Sequence, residues 1–257
     1  MSRSLPKVSI ITPSYNQGQF IEATIQSVLN QTYPNIEYIL VDGGSTDATM
    51  TVVDRYRHRI DVVIHENDNG QSDAINKGFR LATGELVGWL NSDDVLYPEC
   101  VAEIVRVYQG KPDGAIYYNP TIDIIDKNGQ FIKKYTNVIP NKQFLLRSRY
   151  SLCQQGSFYA RPILDRVNYI DERFHYCMDL DLWLKLLEHG PIYSVATGGY
   201  AALRDWETTK TATGGVRFLA EIRRTLYRNG AKFWHQTVSR TYWYEFKLRF
   251  RSALKLA

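Results

Sequence analysis

Two adjacent aspartates, Asp93 and Asp94, close the segment LVGWLNSDDVLYP (86–98), directly after the apolar residues Leu86, Val87, Trp89 and Leu90. Carboxylates at the mouth of a buried strand suit two tasks: holding a divalent cation, or capping a following helix, here one beginning near Pro98. Asp94 fits the cap well and Asp93 less well. Polar clusters end three other apolar runs. Ser14, Tyr15 and Asn16 follow VSIIT (8–12), Asp42 to Ser45 follow IEYILV (36–41), and Glu66 to Ser72 close DVVIHE (61–66). One polar terminus means little, because loops are polar anyway. Four along one edge point to a shared site.

Two common phosphate cradles are excluded. GxGxxG would have to follow the first strand, where PSYNQG stands instead, and GxxxxGK[ST] occurs nowhere. Without a glycine cradle, a cation held by carboxylates can neutralise a diphosphate. Mg²⁺ or Mn²⁺ takes one or two acidic side chains plus phosphate oxygens.

The elements that must carry these residues follow from hydrophobic period. Phe20, Ile21, Ile25, Val28 and Leu29 recur at helical spacing between the first two strands. Further helices are expected over ATMTVVDRYR, with Asp47 or Ser45 as N-cap, over SDAINKGFRLAT, and over PECVAEIVRVYQG. Strand and helix thus alternate four times in residues 1–110, which predicts an α/β fold with a doubly wound, mainly parallel sheet. Residues 111–213 read as a mixed half of the same domain. They hold a strand, a hairpin turning at Asp126 to Gly129, a strand in CQQGSFYAR, a helix in DLDLWLKLLEHG and a late strand in PIYSVAT. Residues 214–257 form a basic, aromatic, helical tail.

Bulk composition agrees with an ordinary soluble globular protein. The chain has 257 residues, 44% hydrophobic and 23% charged, enough for a sizeable core. A formal charge of +4 is too small to argue for nucleic acid. Cys100, Cys153 and Cys177 are widely spaced and odd in number, as expected of buried free thiols. MSRSLPKVSIITPSYN holds no apolar stretch of signal-peptide length, and nowhere do about 18 apolar residues run together. The expected location is the cytoplasm.

TPSYNQGQFIEATIQSVLNQTYPNIEYILVDGGSTDAT resembles the opening of inverting family 2 glycosyltransferases, and DNGQSDAINKGFRLATGELVGWLNSDD resembles the rest of their nucleotide-binding half. The likeness runs from Val8 to Pro98 and resumes at YCMDLDLWLKLLEHGP. It implies the GT-A fold and transfer from a UDP-, dTDP- or GDP-linked sugar to a glycan or lipid-linked acceptor. It implies that Thr12, Pro13, Tyr15 and Asp42 hold the nucleoside. Asp73 and Ser92 would lie near the donor, and Lys77 would contact phosphate or pair with an acid. The family's D-x-D motif reads Asn91-Ser92-Asp93 here, so Asp93 is the implied ligand of Mg²⁺ or Mn²⁺, and Asn91 can only hydrogen-bond.

Glycosyl transfer also needs a base for the acceptor hydroxyl, and a carboxylate within about 3 Å can serve. The resemblance assigns that role to Asp179, in an acidic pair whose other member is Met178 here. Asp181 is read as a first-turn acid favouring the helix dipole. LRDWETTKTATGG resembles the family's closing loop, which implies that Arg204 and Lys210 reach the diphosphate and Trp206 stacks on the acceptor. Gln154 and Gln155 are placed on acceptor hydroxyls. The tail, AKFWHQTVSRTYWYEFKLRFRSALKLA, interleaves cations with aromatics, as in a helix lying on an anionic membrane surface or one packed on the core with snorkelling cations. Two rivals stand beside the transferase: a sugar nucleotidyltransferase, whose Gly- and Arg-rich first loop is missing, and a non-catalytic sugar-nucleotide-binding or scaffold protein.

Overall fold

The computed structural model describes residues 5–196, 198–207, 209 and 213–254. The first half builds β1 (Val8–Ser14), α1 (Ile21–Leu29), β2 (Ile36–Asp42), α2 (Thr49–Tyr56), β3 (Val62–His65), α3 (Gln71–Leu81), β4 (Leu86–Trp89), β5 (Val95–Leu96) and α4 (Cys100–Gly110). Then come β6 (Ile116–Tyr118), β7 (Thr121–Ile125), β8 (Phe131–Thr136), α5 (Lys142–Arg147), β9 (Phe158–Ala160) and α6 (Arg161–Arg166). The chain continues through α7 (Met178–Leu186), β10 (Ile192–Ser194), β11 (Ala201–Arg204), α8 (Gly215–Arg228) and α9 (Gln236–Leu254).

Seven strands form the main sheet in the order β10-β6-β9-β4-β1-β2-β3, parallel except for β9, which runs against both β4 and β6. β2 and β3 extend to one side of β1 and β4 to the other. The strand order therefore reverses at β1, and a crevice opens beyond the carboxyl ends of β1 and β4, where sheets of this kind bind ligands. A smaller sheet, β5-β11-β7-β8, stands beside that crevice.

Alternation along β1 explains the two-sided core. Ile11 packs with Phe79, Trp89, Tyr159 and Trp183 on one face, while Ile10 packs with Ile25, Leu40, Val101 and Tyr117 on the other. α3 lies unusually close to β1 because Gly78 faces Ile11, and any side chain at 78 would collide with it. The β7–β8 hairpin turns where expected, with Asp126 Oδ1 accepting from the Asn128 and Gln130 amides and Gly129 at φ 82°. At α2 the N-cap position falls to Ala48, not to Asp47 or Ser45. Asp47 Oδ1 accepts from the first helical amide, Thr49 N, at 2.9 Å, whereas Ser45 turns back to the β2 loop. All three cysteines are buried free thiols.

Candidate active site

The nucleoside edge is more closed than the residue types imply. Asp42 is fully buried. Its Oδ1 accepts from Gly44 N at 3.1 Å, Ser45 N at 2.8 Å and His65 Nδ1 at 2.7 Å, and its Oδ2 accepts from Ser45 Oγ at 2.6 Å. Four donors meet this buried carboxylate, so Asp42 shapes the loop and orients His65, and its assignment to the nucleoside rests on the resemblance alone. His65, with a side chain 46% exposed, is the group presented there, and nothing local in DVVIHE marks it. The Asp68 and Asn67 side chains fill the space where Cβ atoms of residues 43 and 44 would stand, so Gly43-Gly44 lets the β3–α3 loop close over β2.

Thr12 and Pro13 are also buried; Thr12 Oγ1 accepts from Tyr38 OH at 3.1 Å inside the sheet. Both side chains sit inside the sheet, and their assignment to the nucleoside rests on the resemblance alone. Tyr15 is 60% exposed and is the member of that set on the surface. Asn16 takes a positive φ of 51°, donates its amide to Ser45 Oγ at 2.7 Å and accepts from Thr46 N at 2.9 Å, tying the β1 loop to the β2 loop. Ser14 Oγ is buried and finds no hydrogen-bond partner among the described residues.

At the end of β4 the two aspartates have unlike roles. Asp94 is 2% exposed and accepts from Arg204 N at 3.0 Å, Gln155 Nε2 at 2.9 Å and Asn91 Nδ2 at 3.0 Å. It caps no helix, since α4 starts only at Cys100. Burial, followed by the neighbouring Asp93 charge, pushes its carboxyl up to about 7. Asp93 lies above it, with Oδ2 accepting from Trp206 Nε1 at 3.0 Å. Burial raises its pKa as well, against Trp206 and Arg204, which hold it down. Asn91 Oδ1 accepts from Gln71 Nε2 at 2.8 Å, linking this loop to the start of α3, and Ser92 is buried.

Four residues assigned to ligands prove to be braces. Arg204 is 5% exposed; its Nε donates to Asp93 O at 2.9 Å and its Nη1 to Asp126 O and Lys127 O, so it braces the Asp93 loop against the hairpin turn. Gln154 and Gln155 are buried, donating to Trp89 O and Asp94 Oδ2, and do not face sugar hydroxyls. Trp206 sets its edge against Phe20, ring centroids 4.9 Å apart, and holds Asp93, in place of the expected stack on an acceptor. Lys210 lies outside the described residues. Of the two alternatives for Lys77, the structure shows pairing with acid: Glu66 Oε1 at 2.8 Å and Asp73 Oδ2 at 3.6 Å. Asp73 Oδ2 also accepts from Asn69 N at 3.0 Å, fixing the entry to α3.

Asp179 occupies the first turn of α7, half-buried, with Oδ1 accepting from Leu180 N at 2.7 Å. Met178 beside it is 5% exposed and belongs to the core. Asp181 faces inward too, 1% exposed, with Lys185 Nζ at 3.2 Å one turn on. The segment before α7 is tied down from two directions. Glu221 on α8 accepts from the amides of His175, Tyr176 and Cys177 at 3.1, 2.5 and 2.8 Å. From α3, Ser72 Oγ donates to Phe174 O at 3.3 Å, and Asn76 Nδ2 and Oδ1 bond Ile170 O and N. The Tyr159 hydroxyl, raised first by burial, is raised also by the Asp179 charge, and Tyr159 pairs with Val87 of β4. Asp179 is thus near Tyr159 of β9, the strand beside β4.

The model of the family described as "Glycosyl transferase family 2" matches residues 9–168. The chain belongs to that family. An uncharacterised glycosyltransferase of Nostoc sp. is 33% identical over 176 residues, covering 64% of this chain and 54% of its own length. The chain thus spans just over half of that relative. Among solved structures, S. aureus TarS 1-349 in complex with UDP-GlcNAc superposes with a TM-score of 0.68 at 20% identity, over 94% of this chain and 71% of that one. Mannosyltransferase PcManGT from Pyrobaculum calidifontis, in complex with GDP-Man and Mn²⁺, gives 0.66 at 18% identity, over 88% and 64%. These likenesses establish the GT-A fold.

For a family 2 glycosyltransferase the cation site is the test of the donor set. Among the described residues, no three His, Cys, Asp or Glu side chains cluster as metal ligands. The β4 mouth offers one acid, Asp93, since the Asp94 carboxylate is already taken by three donors. That set fits Mg²⁺ or Mn²⁺ bound through one carboxylate together with phosphate oxygens of a substrate.

Proposed function

We propose that the protein is an inverting, metal-assisted glycosyltransferase acting on a nucleoside diphosphate sugar and a hydroxyl of a glycan or lipid-linked acceptor. What supports this reading is the family match together with two carboxylates of different kind, one after β4 and one in the first turn of α7. Asp93 follows β4, and Asp179 opens α7 directly after a segment tied to both α3 and α8. The UDP-GlcNAc of TarS and the GDP-Man and Mn²⁺ of the mannosyltransferase support the donor class and the cation.

Asp93 would hold the cation, which when bound supplies Lewis-acid neutralisation of the departing diphosphate. Trp206 and Arg204 fix Asp93 from opposite atoms, so the carboxylate stands ready without reorganisation. Tyr15, His65 and the loop that Asp42 folds would receive the nucleoside. Asp179 would take the proton from the acceptor hydroxyl as it attacks the anomeric carbon through an oxocarbenium-like transition state. Attack from the face opposite the leaving group inverts the anomeric configuration. Replacing Asp179 with Asn keeps an acceptor for Leu180 N but removes the base. Transfer should fall by about 10²–10⁴-fold, while calorimetric affinity for the nucleotide changes little. Turnover at the parent rate would reject the base assignment.

A further inference from the structure

α9 begins as part of the body and ends outside it. Thr237, Val238 and Thr241 are buried, Thr237 Oγ1 donates to Leu146 O, and Arg240 Nη1 donates to Ser148 O at 3.3 Å, so the helix starts against α5. Arg223 of α8 then pairs with Glu245 at 2.5 Å and lies 4.5 Å over the Tyr242 ring. Past Glu245, every residue from Phe246 to Phe250 is exposed.

The outward face is a row of aromatic rings. Trp243, Phe246 and Phe250, spaced i, i+3 and i+7, stand opposite the packed stripe of Val238, Thr241 and Glu245. They are 55%, 59% and 57% exposed. Neighbouring rings stack with centroids 5.9 and 6.1 Å apart and planes within 20°. Water gains nothing from such a row, and large exposed apolar patches rimmed by polar groups mark interaction sites. The rim here is cationic. Residues 231–250 carry Lys232, Arg240, Lys247 and Arg249 against one acid, Glu245, whose oxygens are already taken by Arg223 and Arg249. Lys247 Nζ lies 4.9 Å over the Trp243 ring, beside the row. A cleft of about 620 Å³ where α5 meets the α8–α9 turn is lined by Lys142, Arg147, Lys232 and His235, with Trp234 at its wall.

We infer that α9 and the basic cleft beside its first turns form a docking surface for an anionic lipid bilayer. The aromatic row would enter the headgroup region, and the flanking cations would sit against lipid phosphates. No described helix is long and apolar enough to cross a membrane, so the helix lies on the surface instead of spanning it. A second copy is a poorer occupant, because pairing two such helices sets cation against cation. The docking helix is also one helix from the chemistry: on α8, Arg223 holds α9 and Glu221, two residues earlier, holds the segment before Asp179. Surface docking would then bring the Asp179 side of the crevice near acceptors carried by lipid. The docking itself does not depend on the transfer reading.

The test is co-sedimentation of the full chain with vesicles of phosphatidylcholine alone and of an equal mixture with phosphatidylglycerol. Binding is expected to the anionic vesicles, and should be lost at about 1 M salt, where screening shortens to about 3 Å. Lys247→Ala should lower the partition coefficient about fivefold, and Phe246→Ser with Phe250→Ser should abolish binding. Both variants should keep the parental circular dichroism, melting temperature and sugar-nucleotide affinity, which separates this outcome from failure of the catalytic reading. Equal binding to neutral vesicles would overturn the inference. So would absence of vesicle binding, whether the chain sediments as a monomer or as a dimer that Phe246→Ser and Phe250→Ser dissociate.

Discussion

β2 and β4 each lead to an aspartate at the carboxyl edge of the same sheet, Asp42 buried and Asp93 half-buried, and the two behave oppositely. Asp42 is met by two amides, a hydroxyl and an imidazole, so its burial is matched donor for donor. Asp93 and Asp94 are adjacent, and burial raises both. Hydrogen-bond donors decide which acid is scaffold and which is left to meet a ligand, and residue type decides neither. A carboxylate satisfied by its own loop builds the site. One held in a poor electrostatic position without a cation of its own is where a cation and its diphosphate gain most.

That contrast breaks if the two aspartates respond alike to substitution. Asp42→Ala should remove about 3–5 kcal/mol of stability, read from denaturant unfolding, because three donor groups and His65 lose their acceptor inside the fold. Asp93→Asn should leave stability equal or higher, since Asn keeps an acceptor for Trp206 and sheds an unfavourable charge. Its transfer rate should fall about a hundredfold or more. Equal losses of stability in the two variants would erase the distinction.

The pH dependence sharpens the same point. A carboxyl whose pKa is raised on folding binds its proton more tightly in the native state. Its stabilising contribution is therefore complete below the unfolded value, near 4, and is lost as pH rises through the folded value. For Asp94 the window runs from about 4 up to about 7. The ligand-free protein should lose melting temperature between pH 5 and 8 through this group, and Asp94→Asn should flatten that slope. A parent slope of opposite sign, with the variant unchanged, would remove Asp94 from the account.

How much of this could be read beforehand differs by element. The βα alternation over residues 1–110 was legible because its strands are continuous apolar runs and its helices show a clean amphipathic period, as Ile21, Ile25 and Val28 do. β5, two residues long, and β11 were not, because so short a run has no period of its own. Strand-end position was enough to pick out Asp93. It could not show that Asp42 is enclosed, although Ser45 three residues later is a turn signature that hinted at it. His65, Glu221, Gln71 and Asn76 were missed because their partners lie between 20 and 94 residues away. The bonds of Arg204 to Asp93 and of Gln155 to Asp94 were hidden for the same reason, since they join residues 61 to 111 positions apart.

The smallest effect belongs to the cation that looks most like a phosphate contact. Lys77 sits on α3 close to the crevice, but Glu66 and Asp73 pair with it, and Asn67 O accepts from it at 3.3 Å. Glu66 foremost, through a hydrogen bond, raises its pKa, which marks an ammonium already well served by anions. The pairs lie near the surface, where each is worth about 0–1 kcal/mol. Lys77→Met should thus shift the melting temperature slightly and leave both KM for the donor and kcat within about twofold. A tenfold rise in KM would mean that Lys77 leaves its acids for the diphosphate when the donor binds. The line between braces and ligand contacts would then move outward from Asp93 to include α3.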